Sequence, residues 1–115
     1  MIIARMYAGD DGETHIEEMD LGSHAELQAG LASNNVVFRS GAPGEFHDWH
    51  HAPRRQFVIT LAGEVEIGLG DGTTHRFGPG HVNLAEDLTG RGHTTRIVSD
   101  VPRVTATVWL DDQSI

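Results

Sequence analysis

The stretch GEFHDWHHAPRRQFVITLAG, residues 44–63, carries the strongest structural signal in this chain. Its first half alternates in polarity up to His51 and then meets Pro53, which cannot donate a hydrogen bond to a strand ladder. Its second half, Gln56 to Leu61, is rich in β-branched and aromatic residues, and Gly63 provides a turn. The stretch therefore predicts two consecutive β-strands joined by a polar connection.

The same pattern extends over the whole chain. Fourteen glycines and four prolines divide the 115 residues into short runs rich in Val, Ile, Thr and Phe, a spacing typical of all-β sandwiches and barrels. One short helix is expected from His24 to Leu31, because Ser23 and Glu26 form a capping box. No linker divides the chain, so residues 1–115 are predicted to form one domain. The predicted strands are Ile2–Tyr7, Thr14–Leu21, Val36–Arg39, Glu45–His51, Gln56–Leu61, Glu64–Leu69, Thr73–Phe77, Val82–Ala85, His93–Val98 and Val104–Leu110.

Composition excludes several classes of function. The 17 acidic residues outnumber the 8 basic ones, and the resulting charge of −9 argues against nucleic acid and against an anionic membrane as partners. The chain has no cysteine, which removes disulfides, thiolate nucleophiles and cysteine-based zinc sites. It shows neither a secretory signal nor an apolar run long enough to span a membrane, so we expect a cytoplasmic protein. The eight histidines are the unusual feature of the composition.

The spacing within the opening stretch resembles the first motif of the cupin family. That motif runs Gly, five residues, His, one residue, His, three or four residues, Glu, six residues, Gly. Gly44 and Gly63 match its ends, and His50 matches its first histidine. Ala52 stands where the second histidine belongs, and Gln56 stands where the glutamate belongs. The outer spacing therefore matches residue for residue, while two of the three ligand positions are changed.

Residues 78–97 resemble the looser second motif of the same family. The run from Gly78 to Gly80 looks like its opening turn. His93 follows a glycine-rich loop and stands where that motif supplies its single histidine, while Ile97 occupies the place of the usual asparagine. The β pattern extends the resemblance beyond the two motifs to nearly the whole chain.

The resemblance implies an all-β fold, a double-stranded β-helix that forms a jelly-roll-like barrel with at most one short helix. Cupins commonly hold a divalent metal inside the barrel, whether iron, manganese, nickel, zinc or copper, although some members bind none. Single-domain cupins are often homodimers, and we expect a homodimer that buries Trp49 or Trp109. Cupin reactions include dioxygenation, decarboxylation, sugar isomerisation and polyketide cyclisation, so the fold alone does not identify the reaction.

Carried over position by position, the resemblance implies that His50, Gln56 and His93 are metal ligands. Neutral imidazole suits zinc, iron, copper and nickel, but an amide oxygen is a weaker ligand than a carboxylate. The set therefore needs His51, Glu86 or water to reach four ligands. The alternative is a pocket without metal, in which Gln56 forms hydrogen bonds.

Glu86 and His51 are the candidate catalytic side chains. Glu86 and Asp87 follow an apolar strand, and one of these carboxylates could enter the barrel mouth as a general acid or base. A solvated acidic turn is the alternative. His51 could enter the pocket if the step from Ala52 to Pro53 bulges the strand; otherwise it faces solvent or an interface.

Arg54 and Trp49 are the candidates for substrate binding. An inward arginine would hold a carboxylate or phosphate through two parallel hydrogen bonds, and Trp49 could stack on a substrate. The alternatives are a surface charge for Arg54 and packing for Trp49. Strand alternation puts His47 on the face opposite to His50, and His81 is expected at the surface.

Three functions follow from these residues. The leading hypothesis is a metal-dependent enzyme that acts on a small organic molecule by Lewis-acid or dioxygen chemistry. The second is a metal-free dehydratase, isomerase or cyclase that uses histidine acid–base catalysis. The third is a non-catalytic module that binds a ligand or a metal. A barrel filled by its own side chains would leave no room for a substrate.

Overall fold

The structure is a computed structural model that describes residues 2–114. All ten predicted strands are confirmed, with ends that differ by at most a few residues. The elements are β1 Ile3–Ala8, β2 Thr14–Glu18, α1 Ala25–Ala29, β3 Ser33–Gly41, β4 Phe46–His50, β5 Gln56–Ala62, β6 Val65–Gly68, β7 Thr74–Phe77, β8 Val82–Glu86, β9 His93–Ile97 and β10 Arg103–Leu110.

The strands form two sheets that enclose a cavity. The larger sheet has the order β2-β1-β8-β5-β10-β3, and the smaller has the order β4-β9-β6-β7. Neighbouring strands run antiparallel except for β1 and β8, which are parallel. The predicted all-β class, a double-stranded β-helix with one short helix, is confirmed.

Side-chain alternation assigns each strand one face towards the cavity and one face outwards. Thr105 and Thr107 of β10 line the cavity. Leu110, on the opposite face of the same strand, packs with Met19 and Leu84 in an outer apolar cluster. Apolar residues from both sheets form the core between them: Met6, Val65, Ile67, Leu69 and Phe77.

The helix segment covers the outer apolar cluster. Leu27 and Leu31 pack against it. The predicted capping box is wrong, because the helix begins at Ala25 and its N-cap, His24, makes no capping hydrogen bond through its side chain. A helix of five residues does not form in isolation, so burial of these leucines holds it in place. Within residues 2–114, no helix is long and apolar enough to cross a membrane.

Strand β4 carries an irregularity that shapes the cavity. His47 pairs with Thr95 and His50 pairs with His93, so three residue steps on β4 match two on β9. This β-bulge shifts the alternation of the strand. His47 therefore lies on the same side as His50, with ring centroids 6.1 Å apart, and the prediction that they occupy opposite faces is wrong.

The loop before β9 closes tightly on β4. Gly92 has a φ of +79°, and a Cβ atom at this position would overlap with the backbone carbonyl oxygen of His50. Only glycine tolerates both the positive φ and the close approach. The absence of a side chain here brings His93 next to His50.

His81 is buried. The prediction that it lies at the surface is therefore wrong. His81 is 5% exposed. Its ring stacks on Phe77 with centroids 3.7 Å apart, and its Nε2 lies 2.8 Å from Oδ1 of Asn83. The turn at Gly78 to Gly80 folds His81 inwards, because Gly80 donates a backbone hydrogen bond to Thr60 of β5.

Candidate active site

A cavity of about 460 Å³ lies between the two sheets. This volume falls within the range of ligand sites of roughly 300–1,000 Å³, so the barrel is not filled by its own side chains. Thr95 and Ala85 contribute to its wall, together with the side chains described below. The cavity has room for a small organic molecule.

His93 is held by a buried carboxylate. Its Nδ1 lies 2.6 Å from Oδ2 of Asp87, which also accepts a hydrogen bond of 2.7 Å from the hydroxyl of Thr14. Asp87 is completely buried. Because a carboxylate accepts, Nδ1 of His93 carries the hydrogen, and Nε2 is the ring nitrogen left for a ligand. His93 lines the cavity and therefore offers a base to it.

His50 stands opposite His93 and also lines the cavity. The two ring centroids are 4.6 Å apart. Nδ1 of His50 donates a hydrogen bond of 2.7 Å to the backbone carbonyl of Asp48. Burial lowers the pKa of His50, and the neighbouring rings of His93 and His47 lower it further. The ring is therefore neutral at pH 7, with its lone pair on Nε2.

Gln56 faces the cavity beside Arg54. Nη1 of Arg54 donates a hydrogen bond of 3.3 Å to Oε1 of Gln56, which is 8% exposed. This contact orients the amide, because a guanidinium can only donate. The amide nitrogen of Gln56 remains a donor at the cavity. Arg54 also stacks on Trp109, with its guanidinium carbon 3.8 Å from the ring centroid.

Solved structures resemble this arrangement of sheets. DMSP lyase DddQ from Ruegeria pomeroyi DSS-3 is 25% identical with a TM-score of 0.53, over 70% of this chain and 39% of the lyase. The polyketide cyclase RemF from Streptomyces resistomycificus is 15% identical with a TM-score of 0.56, over 97% of this chain and 77% of the cyclase. A Cupin 2 conserved barrel domain protein from Salinispora arenicola CNS-205 is 19% identical with a TM-score of 0.52, over 84% of this chain and 88% of that protein. This chain has the cupin fold.

The extent of these matches limits what they establish. The chain spans about two fifths of the length of the lyase, with 39% covered. No protein-family model and no curated protein matches the chain. The reaction must therefore be argued from the cavity itself.

The donor set does not fit the divalent metal of metal-binding cupins. The structure brings His50, Gln56 and His93 to one cavity, as predicted. Within residues 2–114, however, no group of three or more His, Asp or Glu side chains converges as metal ligands, and catalytic zinc sites use three protein ligands. The third donor is the neutral amide of Gln56, whose oxygen already accepts a hydrogen bond from Arg54. The guanidinium of Arg54, 3.3 Å from that oxygen, would repel a bound cation.

Glu86 does not enter the cavity, contrary to its predicted catalytic role. Its carboxylate lies on the other face of β8, 2.5 Å from Nε of Arg5 and in direct contact with Nε of Arg55. The adjacent Asp87 points inwards instead and holds His93. Neither carboxylate lines the cavity: Asp87 lies on the face opposite to Glu86 and is buried behind His93.

His51 and Trp49 also lie outside the cavity wall. His51 is exposed, and its Nδ1 donates a hydrogen bond of 3.0 Å to the carbonyl of Ala52. Trp49 is 40% exposed and carries the guanidinium of Arg91 4.3 Å above its ring. The predicted entry of His51 required a bulge at the step from Ala52 to Pro53. The bulge in β4 lies between His47 and His50 instead, so it moves His47, not His51, to the side of His50.

Three residues of the candidate site could not be chosen from the sequence alone. Asp87 was considered but not chosen. Ala85 pairs with Gln56, and because side chains alternate along a strand, Asp87 lies on the same face as Ala85. Arg39 and Arg103 line the cavity but occur singly in apolar strands, where a charged residue usually marks the solvent face. Only the pairing of β3 with β10 shows that both face inwards.

Proposed function

We propose that this chain is a small-molecule enzyme that moves protons with His93 as general base, in a reaction of the isomerase, cyclase or lyase type. The observation that carries the proposal is the fully buried Asp87 on Nδ1 of His93, 2.6 Å away. Such a pair is the usual device for orienting a base and stabilising its protonated form.

His93 removes a proton from a carbon next to a carbonyl group. Nε2 accepts the proton, and the carboxylate of Asp87 stabilises the imidazolium that results. The proton then returns to another atom of the substrate, which gives isomerisation or cyclisation, or it goes to a leaving group, which gives elimination. General base catalysis of this kind contributes about 10²–10⁴ in rate.

Gln56 stabilises the negative charge that develops on the carbonyl oxygen. Its amide oxygen accepts from Arg54, so its amide nitrogen is the group that donates to the substrate. Donors aimed at a developing oxyanion are among the largest contributions to enzyme catalysis. The neutral ring of His50 accepts a hydrogen bond from a substrate hydroxyl and does not repel the imidazolium of His93.

A divalent metal remains the competing assignment. Its support is the distance of 4.6 Å between the ring centroids of His50 and His93, although no third His, Asp or Glu ligand within residues 2–114 joins them. Elemental mass spectrometry on protein purified without a His tag and without chelator separates the two assignments. We expect no stoichiometric metal. Stoichiometric metal that is lost in both His50→Ala and His93→Ala would support the competing assignment.

Proton transfer is tested by deuterium exchange. Small 3-hydroxy and 3-oxo carbonyl compounds are incubated with the protein in D₂O, and loss of the proton next to the carbonyl is followed by NMR. We expect His93→Asn and Asp87→Asn to lose at least about 100-fold in exchange rate. His24→Asn, a matched change at the N-cap of α1, should retain the wild-type rate. Exchange that survives in both site variants would contradict the proposal.

A further inference from the structure

The cavity wall is positively charged although the chain is strongly acidic. Arg39, Arg54 and Arg103 line the cavity, and within residues 2–114 no Asp or Glu belongs to that lining. The formal charge of the whole chain is −9. Arg39 and Arg103 also line a neighbouring pocket whose wall includes Glu45, and the carboxylate of Glu45 lies 3.1 Å from Nε2 of His47. The wall of the main cavity itself carries only positive charge, which favours anions over cations.

Four of the five arginines outside the cavity lining have a carboxylate partner, and the fifth, Arg96, lies over the ring of Phe46. Arg5 and Arg55 pair with Glu86, Arg76 pairs with Glu66, and Arg91 pairs with Glu13. These side chains have their counter-ions within the protein. Among the described residues, no carboxylate lies within ion-pair distance of the arginines that line the cavity.

Arg103 is the most deeply placed of the cavity arginines. Its Nη2 donates a hydrogen bond of 3.1 Å to the hydroxyl of Thr60. Its Nε is buried, and no acceptor among residues 2–114 reaches it. Burial lowers the pKa of Arg103 to about 10, so the side chain is still a cation at neutral pH. A buried cation with an unused donor is costly unless an anion completes it.

Arg39 reaches the same end of the cavity from the neighbouring strand. It pairs with Thr105 on β10, and Arg103 pairs with Gly41 on β3. The two arginines are therefore diagonal neighbours on one face, with backbones about 7–8 Å apart. Both side chains line the same cavity, and an anion bound between them would neutralise two like charges.

We propose that Arg39 and Arg103 form a binding site for an anionic oxygen group of the substrate, a carboxylate or a phosphate. This inference rests on the proposed function, because it places the anion at one end of the cavity and the reacting carbon at His93. Thr95 of β9 lies between the two ends and lines the cavity. It is two residues from His93, about 7 Å along a strand. The substrate is therefore a small organic acid or phosphate whose reacting carbon lies several bonds from its anionic group.

Arg54 has a separate task. It stacks on Trp109 and donates to Gln56, so its geometry is already committed at the histidine end of the cavity. The Nε donor of Arg103 is not committed in this way. The anion is consequently assigned to Arg103 and Arg39 rather than to the arginine that the sequence had indicated.

Isothermal titration with succinate and with inorganic phosphate tests this site, in chloride buffer of matched ionic strength. The neutral diamide succinamide is the control ligand. We expect wild type to bind at least one of the two anions and not the diamide, and Arg103→Gln and Arg39→Gln to weaken that binding at least tenfold. Preference for succinate or for phosphate identifies the anionic group.

Arg96→Gln is the matched control variant. Arg96 is exposed on β9 and lies 4.4 Å over the ring of Phe46, so the substitution removes the same charge without touching the cavity. It should bind the anion as wild type does. If Arg96→Gln weakens binding as much as the cavity variants do, or if wild type binds neither anion, the proposal is overturned.

His93→Asn separates this inference from the proposed function. The variant should lose proton exchange and keep anion binding, because Arg39 and Arg103 are intact. Anion binding without any exchange in wild type would leave this site standing and remove the proposed function. Proton exchange without anion binding would leave the proposed function standing and remove the anion site. Because Arg39 is exposed, Arg39→Gln should fold even if Arg103→Gln does not.

Discussion

Asp87→Asn separates the catalytic value of a buried carboxylate from its effect on stability. Asn has the shape of Asp but no charge, and its amide nitrogen can donate to Nδ1 of His93. The hydrogen on the ring would then move to Nε2, and the cavity would lose its base. We expect exchange activity to fall by about 10²–10⁴, the range for loss of a general base.

The structure also predicts the direction of the stability change. Oδ2 of Asp87 accepts two hydrogen bonds, from Thr14 and from His93, and converting these from charge-assisted to neutral costs about 1–2 kcal/mol each. The substitution also removes a fully buried charge, which costs several kcal/mol to desolvate, and no donor among residues 2–114 reaches Oδ1. The two effects oppose each other, so the free energy of unfolding should fall by no more than about 2 kcal/mol or should rise.

Two measurements check this reasoning without knowledge of the substrate. Long-range ¹H–¹⁵N NMR of the imidazoles reports the tautomer of His93, which should carry its hydrogen on Nδ1 in wild type and on Nε2 in Asp87→Asn. Urea unfolding reports the stability. A wild-type ring with its hydrogen on Nε2, or a variant that keeps activity while losing more than about 3 kcal/mol, would refute the assignment of Asp87 as the residue that orients the base.

Three further predictions concern the fold around the site. Gly92→Ala should destabilise the protein by roughly 1–3 kcal/mol in urea unfolding, because a Cβ atom would overlap with the carbonyl of His50; an unchanged stability would show that this approach is not tight. Burial lowers the pKa of His50 below the ordinary histidine value of 6.5, so the stability that the neutral ring contributes is present above pH 6.5 and is lost as the pH falls; His50→Asn should therefore show a shallower loss of stability in acid, and an unchanged dependence on pH would count against this prediction. If the chain forms the expected homodimer, the exposed edge strand β3 with Val36 and Phe38, 59% and 68% exposed, is the surface most in need of a partner; sedimentation should show a dimer that Phe38→Asp dissociates, and a wild-type monomer at micromolar concentration would rule it out.

The strands could be predicted because their limits are set by local chemistry. The hairpin between β6 and β7 is an example. Asp71-Gly72 predicts a tight turn, and Gly72 has a φ of +87° with backbone hydrogen bonds that close the turn between Leu69 and Thr73. Such a signal depends on two residues and their immediate neighbours, so the sequence alone is sufficient to find it.

The orientation of the side chains in the site could not be predicted in the same way. Alternation identifies the inner residues of a strand only if the strand is regular, and β4 contains a bulge that depends on its pairing with β9. One extra residue transferred His47 to the inner side. The choice between Glu86 and Asp87 likewise depended on how β8 pairs with β5, which is a property of the assembled sheet.

The charges of the cavity show a further limit of the family motif. Position by position, the motif led to His50, Gln56 and His93, and these residues do meet at one cavity. The motif says nothing of Arg39 and Arg103, because they lie on β3 and β10, outside both motif regions. In the proposed anion site, the charge of these two arginines, rather than the motif, determines which ligands the cavity accepts.

Gln56→Glu tests this conclusion at the motif position itself. The change restores the carboxylate that metal-binding cupins carry there, and a metal site limited only by a missing ligand should then bind a divalent ion with His50 and His93. In this cavity the new carboxylate lies against Arg54, whose Nη1 is already 3.3 Å from Oε1 of Gln56. An ion pair with a guanidinium fixed over Trp109 satisfies the carboxylate and leaves little charge for a metal.

We therefore expect Gln56→Glu to remain free of stoichiometric zinc, iron or manganese after incubation with each ion and desalting. Retention of one equivalent, lost again in the additional variant His50→Ala, would show that the arginines do not exclude cations and that the cavity was built for a metal.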